Sequence, residues 1–102
     1  MYGRTLQKIQ QLIREQRYDL TSHAYIEMAK DLFELEDVEA AILSGAIVRR
    51  ELDPLRGYKY RIDGRATDER PAGLWCRLAE LEGEAVLVIT VFEVTPLGEG
   101  SE

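Results

Sequence analysis

The sequence predicts an α+β domain: two to three N-terminal helices packed on a C-terminal, mostly antiparallel four-stranded sheet. Three observations predict it. Apolar residues recur at a period of about 3.6 as far as Gly45, and at a period of about 2 beyond it. The later segments are joined by turns short enough for hairpins. Ala85–Val94 is apolar at nearly every position, as befits a central strand buried on both faces. The chain of 102 residues suits one domain spanning 1–102, with an ordered core over about 4–95 and a flexible tail over 96–102. It contains no repeat and no linker.

Leu6, Ile9 and Ile13, with Leu12 alongside, give an amphipathic helix over Thr5–Arg17. Tyr18-Asp19-Leu20 reads as a short extended bridge. Thr21 or Ser22 can cap a second helix, because a hydroxyl there satisfies an orphan amide of the first turn. That helix would bury Ala24, Met28, Leu32 and Tyr25. A third helix starts near Glu36 and Asp37, acids suited to a helix N-terminus, and stops at Gly45 as a C′ glycine.

Strands follow. Ala46–Leu52 is the first and a candidate edge, and Asp53-Pro54-Leu55-Arg56-Gly57 is a turn. Tyr58-Lys59-Tyr60-Arg61-Ile62 alternates, with Tyr58, Tyr60 and Ile62 toward the core and Lys59 and Arg61 away from it. Asp63–Gly73 reads as irregular. In Leu74–Leu81, Leu74, Cys76 and Leu78 oppose Trp75, Arg77 and Ala79. Glu82-Gly83 turns the chain into Ala85–Val94.

Charge is distributed unevenly. Residues 49–77 hold eight of the thirteen basic side chains and are net +3, against −9 for the remainder and −6 in total. An acidic protein that gathers arginines on strands holds positive charge where an anion can be met. The acidic total argues against broad nonspecific binding of nucleic acid, which comes from phosphate neutralisation. No apolar run approaches the ~20 residues of a membrane helix. Met1-Tyr2-Gly3-Arg4 lacks a signal core, and with a single cysteine the chain reads as cytoplasmic. No phosphate loop and no metal-ligand spacing is present, so no cofactor and no metal are expected.

Three stretches carry a resemblance: Leu20-Thr21-Ser22-His23-Ala24 running on through Glu27 and Met28; Leu35-Glu36-Asp37-Val38-Glu39-Ala40-Ala41-Ile42; and Val88-Ile89-Thr90-Val91-Phe92-Glu93. In them the chain resembles a prokaryotic family known as domain of unknown function forty-two fifty-eight, over roughly residues 18–94. The resemblance implies kinship with RelE- and MqsR-like toxins of toxin–antitoxin modules. It implies a RelE-like fold, an antitoxin protein as partner, RNA as substrate, and metal-independent cleavage at a 2′-hydroxyl. The chain departs from the family's pattern at Lys30-Asp31-Leu32-Phe33 and at Leu74-Trp75-Cys76-Arg77, where many members carry a histidine.

Such cleavage needs a base or acid and cations on the phosphate. His23, the only histidine, is the candidate acid or base. Its bland reading is a ring packed at the start of a helix. Arg61 and Arg77, mid-strand, are candidates to hold the scissile phosphate, with Lys59 and Arg65 in support. Their bland reading is a solvated face paired with Glu51, Asp63 and Asp68. Arg49, Arg50 and Arg56 fit that bland reading better. Trp75 shares a face with Arg77 and could stack a base. Cys76 reads as a buried small hydrophobe. Glu27, Asp31, Glu34, Glu36, Asp37 and Glu39 read as a solvated acidic helix face. The rival to a ribonuclease is a noncatalytic interaction module, or a degenerate toxin, that binds a partner or a second copy through an exposed sheet edge.

Overall fold

The computed structural model describes residues 1–95. Their order is α1 (Gly3–Arg14), β1 (Tyr18–Leu20), α2 (Ser22–Asp31), α3 (Leu35–Ser44), β2 (Ala46–Asp53), β3 (Gly57–Arg65), β4 (Pro71–Glu80) and β5 (Glu84–Glu93). The strands form one sheet in the order β1-β5-β4-β3-β2. The α+β class stands, but the sheet has five strands and is mixed. Tyr18–Leu20, read as a bridge, is a strand that pairs parallel with Val86–Val88. The expected tail over 96–102 lies outside the described residues.

The reason β1 exists is visible at the end of α1. Gln16 adopts a left-handed backbone, φ 60°. Its N–H donates to the Ile13 carbonyl at 3.0 Å, and the Arg17 N–H donates to the Leu12 carbonyl at 2.9 Å. This is a Schellman ending, and it stops the helix three residues short of the expected Arg17. The Arg17 carbonyl is thereby turned outward and accepts from Val86 N–H at 3.0 Å, which recruits the next residues to β5. A three-residue strand has too little pattern to be read as one.

Thr21 caps α2: its Oγ1 accepts from Ala24 N–H at 3.1 Å and donates to the Ile89 carbonyl at 2.8 Å. The far end of α2 repeats the Schellman pattern. Leu32 is left-handed at φ 58°, Phe33 N–H donates to the Met28 carbonyl at 2.9 Å, and Phe33 and Met28 are both buried. The expectation that Leu32 and Tyr25 join the core is therefore wrong. The helix ends before Leu32, which is 80% exposed, and Tyr25 is 50% exposed. Phe33 takes the inward position instead.

The acidic stretch is also less solvated than expected. Asp37 is buried in the first turn of α3, where its Oδ2 accepts from Glu34 N–H at 2.8 Å. Glu27 is buried with Lys30 at 3.4 Å, and Asp31 Oδ2 accepts from Glu93 N–H at 3.0 Å.

Helices lie on one face of the sheet. Ile9, Ile13, Ala24, Met28, Val38 and Ile42 meet Ile62, Leu74, Cys76, Val86, Val88 and Val91 in the core. Tyr60 packs against this core, but Tyr58 is 41% exposed. The stretch 63–73 is mostly strand rather than irregular: β3 runs to Arg65, β4 begins at Pro71, and Asp63 pairs with Gly73. Gly64 permits this, because a Cβ there would sit 2.0 Å from the Ala41 carbonyl oxygen. Gly45 ends α3 with φ −98°, so it is glycine for close approach to Ala41 and Asp63 rather than for a left-handed turn. β4 is the central strand and β5 its neighbour, while β2 is an edge as expected. No helix of the described residues is long and apolar enough to cross a membrane.

Candidate functional site

The strand period turns Lys59, Arg61, Trp75 and Arg77 to the face opposite the helices. Register then sets neighbours across that face. Arg49 lies opposite Arg61, which lies opposite Trp75, and Glu51 lies opposite Lys59. Trp75 is 7% exposed, with Lys59 Nζ 4.8 Å and Arg49 Cζ 5.7 Å from its ring centroid. Its ring is thus covered by cations. Arg61 is 8% exposed, donates through Nε and Nη2 to Asp63 at 2.9 and 3.2 Å, and lies 4.9 Å from the Phe92 ring.

Beyond this row the face opens into a groove of about 240 Å³. Arg56, Lys59 and Arg77 supply three cations, Asp53 one carboxylate, and Leu87 and Ile89 an apolar wall; Thr21 closes one side. Asp53 is held below the usual carboxylate range by the Leu55 N–H, with help from the Arg56 N–H and guanidinium. It is thus engaged in its own turn, with Arg56 at 3.6 Å. Lys59 reaches Glu51 at 3.6 Å. Arg77 is half-buried, and among the described residues its side chain makes no hydrogen bond and no ion pair. A guanidinium in that position has donors pointing at solvent or at a ligand.

His23 follows Thr21 by two residues, in the first turn of α2, and is exposed. It does not line the groove but stands on the element whose cap, Thr21, does. The N-terminus of α2, with its partial positive charge, adds to the cationic character of that side. Of the residues singled out by sequence, Lys59 and Arg77 come together, Arg61 and Trp75 lie next along the same face, and His23 stands at the rim. Arg65 is elsewhere: it donates to the Glu69 carbonyl at 2.9 Å and lies with Ser44, Asp63, Pro71 and Val94.

Sequence reasoning set Arg56 aside, yet the turn at 53–57 folds it back over the groove. A charged residue at a hairpin tip gives no sign of where it will fold. Cys76 is fully buried and its thiol is pushed up to about 12 by that burial, so it holds no thiolate at neutral pH. Among the described residues no group of three His, Cys, Asp or Glu side chains is placed to hold a metal ion.

One family matches the chain, over residues 20–93; it is described as a domain of unknown function (DUF4258). No curated protein and no solved structure matches.

Proposed function

We propose, for a chain that belongs to the DUF4258 family, that the cationic groove receives a phosphate of RNA and that the protein is a toxin-like, metal-independent endoribonuclease. One observation carries this reading: Arg77, half-buried in the groove beside Lys59 and Arg56, has no protein partner among the described residues. A structural arginine on a strand ordinarily has a carboxylate or carbonyl to meet, as Arg61 has Asp63. In this reading Arg77 and Lys59 hold the phosphate, Arg56 supports them, and Leu87 and Ile89 meet a ribose or base edge. His23 takes the 2′-hydroxyl proton, and the 2′-oxygen attacks phosphorus. The bond to the 5′-oxygen breaks, that oxygen takes a proton from water, and a cyclic phosphate remains. An antitoxin protein is the partner this reading implies.

The test is RNA binding and cleavage by the purified full chain, with growth arrest on expression as the cellular readout. Arg77→Ala is expected to weaken binding of a single-stranded RNA by about tenfold and to lower the salt slope by about one. His23→Ala is expected to abolish cleavage while binding persists. Wild-type affinity in the Lys59→Ala, Arg77→Ala double variant would sink the proposal.

A second reading has one observation in its favour. β2 is an edge strand, with Val48 and Leu52 54% and 62% exposed. A noncatalytic module that pairs this edge with a partner strand or a second copy would use them. Dimerisation lost on placing a proline at Val48, with no RNA binding, would select this reading.

A further inference from the structure

A second concave surface lies on the helical side of the molecule, away from the cationic face. A shallow groove of about 410 Å³ runs between α2 and the start of α3. Buried Met28 and Phe33 contribute to its lining, Tyr25 and Leu35 remain 50% and 40% exposed beside them, and Glu34 and Glu36 are exposed around it. Ile26 on α2 and Leu32 just past its end are also exposed, at 56% and 80%. Scattered exposed apolar side chains need no explanation, but an apolar groove rimmed by charge marks an interaction site.

Leu32 sharpens the point. It occupies a left-handed position at the end of α2, where glycine or asparagine is favoured and a branched side chain is strained. It is nearly all in solvent. The residue thus serves neither the local backbone nor the core, and local rules are broken most often where function requires it.

Charge names the occupant. Residues 27–39 are net −5; their one cation, Lys30, is paired with Glu27, and the neighbouring Arg70, stacked on Phe33, is engaged by Asp68 and by the Asp31 and Leu32 carbonyls. Glu39 continues the acidic edge, accepting from the Tyr18 hydroxyl at 2.5 Å. That hydroxyl is pushed upward by burial, by its bond to Glu39 and by the charges of Glu39 and Glu36, in keeping with a negative local field. A phosphate backbone is repelled here. A second copy docked through its own cationic face would make a head-to-tail contact, which builds a ring or an open filament rather than a self-complementary dimer.

We propose that this groove docks a short basic segment of a partner protein. One or two large apolar side chains of that segment enter between Tyr25 and Leu35, and its flanking lysines or arginines meet Glu34 and Glu36. This inference does not rest on the RNA reading, because it uses other residues on another face.

The probe is a short synthetic amphipathic peptide of leucine and lysine, compared with its leucine and glutamate counterpart. Both are titrated into the isotope-labelled full chain while backbone amide signals are followed. The lysine peptide is expected to shift amides over 25–36 saturably and to bind more weakly as salt is raised. The glutamate peptide is expected to leave them unmoved. Leu35→Glu should lower affinity for the lysine peptide by about tenfold, equal to about 1.4 kcal/mol. It places an acid in the first turn of α3, where the helix accepts one, so folding is retained. Tyr25→Ser is a second variant with the same expected loss, and neither should change RNA affinity. Shifts that fall mainly outside 25–36, equal response to the two peptides, or unchanged binding in both variants would overturn the proposal. So would a concentration-dependent mass in solution that Leu35→Glu abolishes while the peptide has no effect, which would assign the groove to a second copy.

Discussion

Asp37 Oδ1 accepts two hydrogen bonds from one residue 30 positions away: the Thr67 N–H at 3.0 Å and the Thr67 hydroxyl at 2.6 Å. The other oxygen, Oδ2, accepts from Glu34 N–H. One buried carboxylate thus starts α3 and ties the loop between β3 and β4 to it. Arg70 completes the tie from the same loop, donating to the Asp31 and Leu32 carbonyls at 2.6 and 2.9 Å and stacking 4.3 Å from the Phe33 ring.

Removing that carboxylate is expected to be costly. Asp37→Ala leaves two Thr67 donors and one Glu34 donor without their acceptor, at an expected loss of about 2–3 kcal/mol in unfolding free energy. Urea denaturation checks this. A loss below about 0.5 kcal/mol would show that water replaces the carboxylate without penalty.

The same group sets an acid limb. Burial alone would raise the Asp37 carboxyl, but the Thr67 hydroxyl and the Glu34 and Thr67 N–H groups outweigh it and hold it below 3.8. A depressed folded value means stability that is present above the unfolded value and lost as pH falls through the folded one. The wild type should therefore lose stability below about pH 4 by more than Asp37→Asn does. Parallel acid limbs in thermal melts of the two proteins would exclude Asp37 as the cause.

Gly64→Ala should destabilise strongly, by about 3 kcal/mol. A methyl group would meet the Ala41 carbonyl oxygen at 2.0 Å, and both sides of that contact are backbone. A melting temperature within a few degrees of wild type would mean that α3 shifts away from β3 freely.

Leu32→Gly should do the opposite. It relieves a left-handed non-glycine backbone and removes a solvent-exposed leucine, for a gain of about 1 kcal/mol, or a rise in Tm of about 4–8 °C. A fall in Tm would show that Leu32 packs in solution on something this arrangement does not contain.

Cys76 should be inert to thiol reagents in the folded protein and react only on unfolding, because it is fully buried and its thiol is pushed up to about 12. Labelling within the mixing time in native buffer would contradict the packing of β4 against the helices.

By itself the sequence determined the class of the domain and most of the inward set of its strands. Two periods, 3.6 then 2, need only neighbouring residues to be legible, so Ile9, Ile13, Ile62, Leu74 and Cys76 are legible as inward residues from the sequence alone. A cap at Thr21 or Ser22 and β2 as an edge were legible for the same local reason, and the structure gives the cap to Thr21. Tertiary structure alone decided what depends on partners distant in the chain. β1 is a strand because a turned Arg17 carbonyl meets Val86, Asp37 is buried because Thr67 reaches it, and Arg56 joins Lys59 and Arg77 because a hairpin folds back. Alternation put Arg61 and Arg77 on the outer face and Asp63 beside the first, two residues along the same strand, but only the packed sheet left Arg77 facing an open groove. A side chain's own type fixes what it can bond; what reaches it is set by the path of the whole chain.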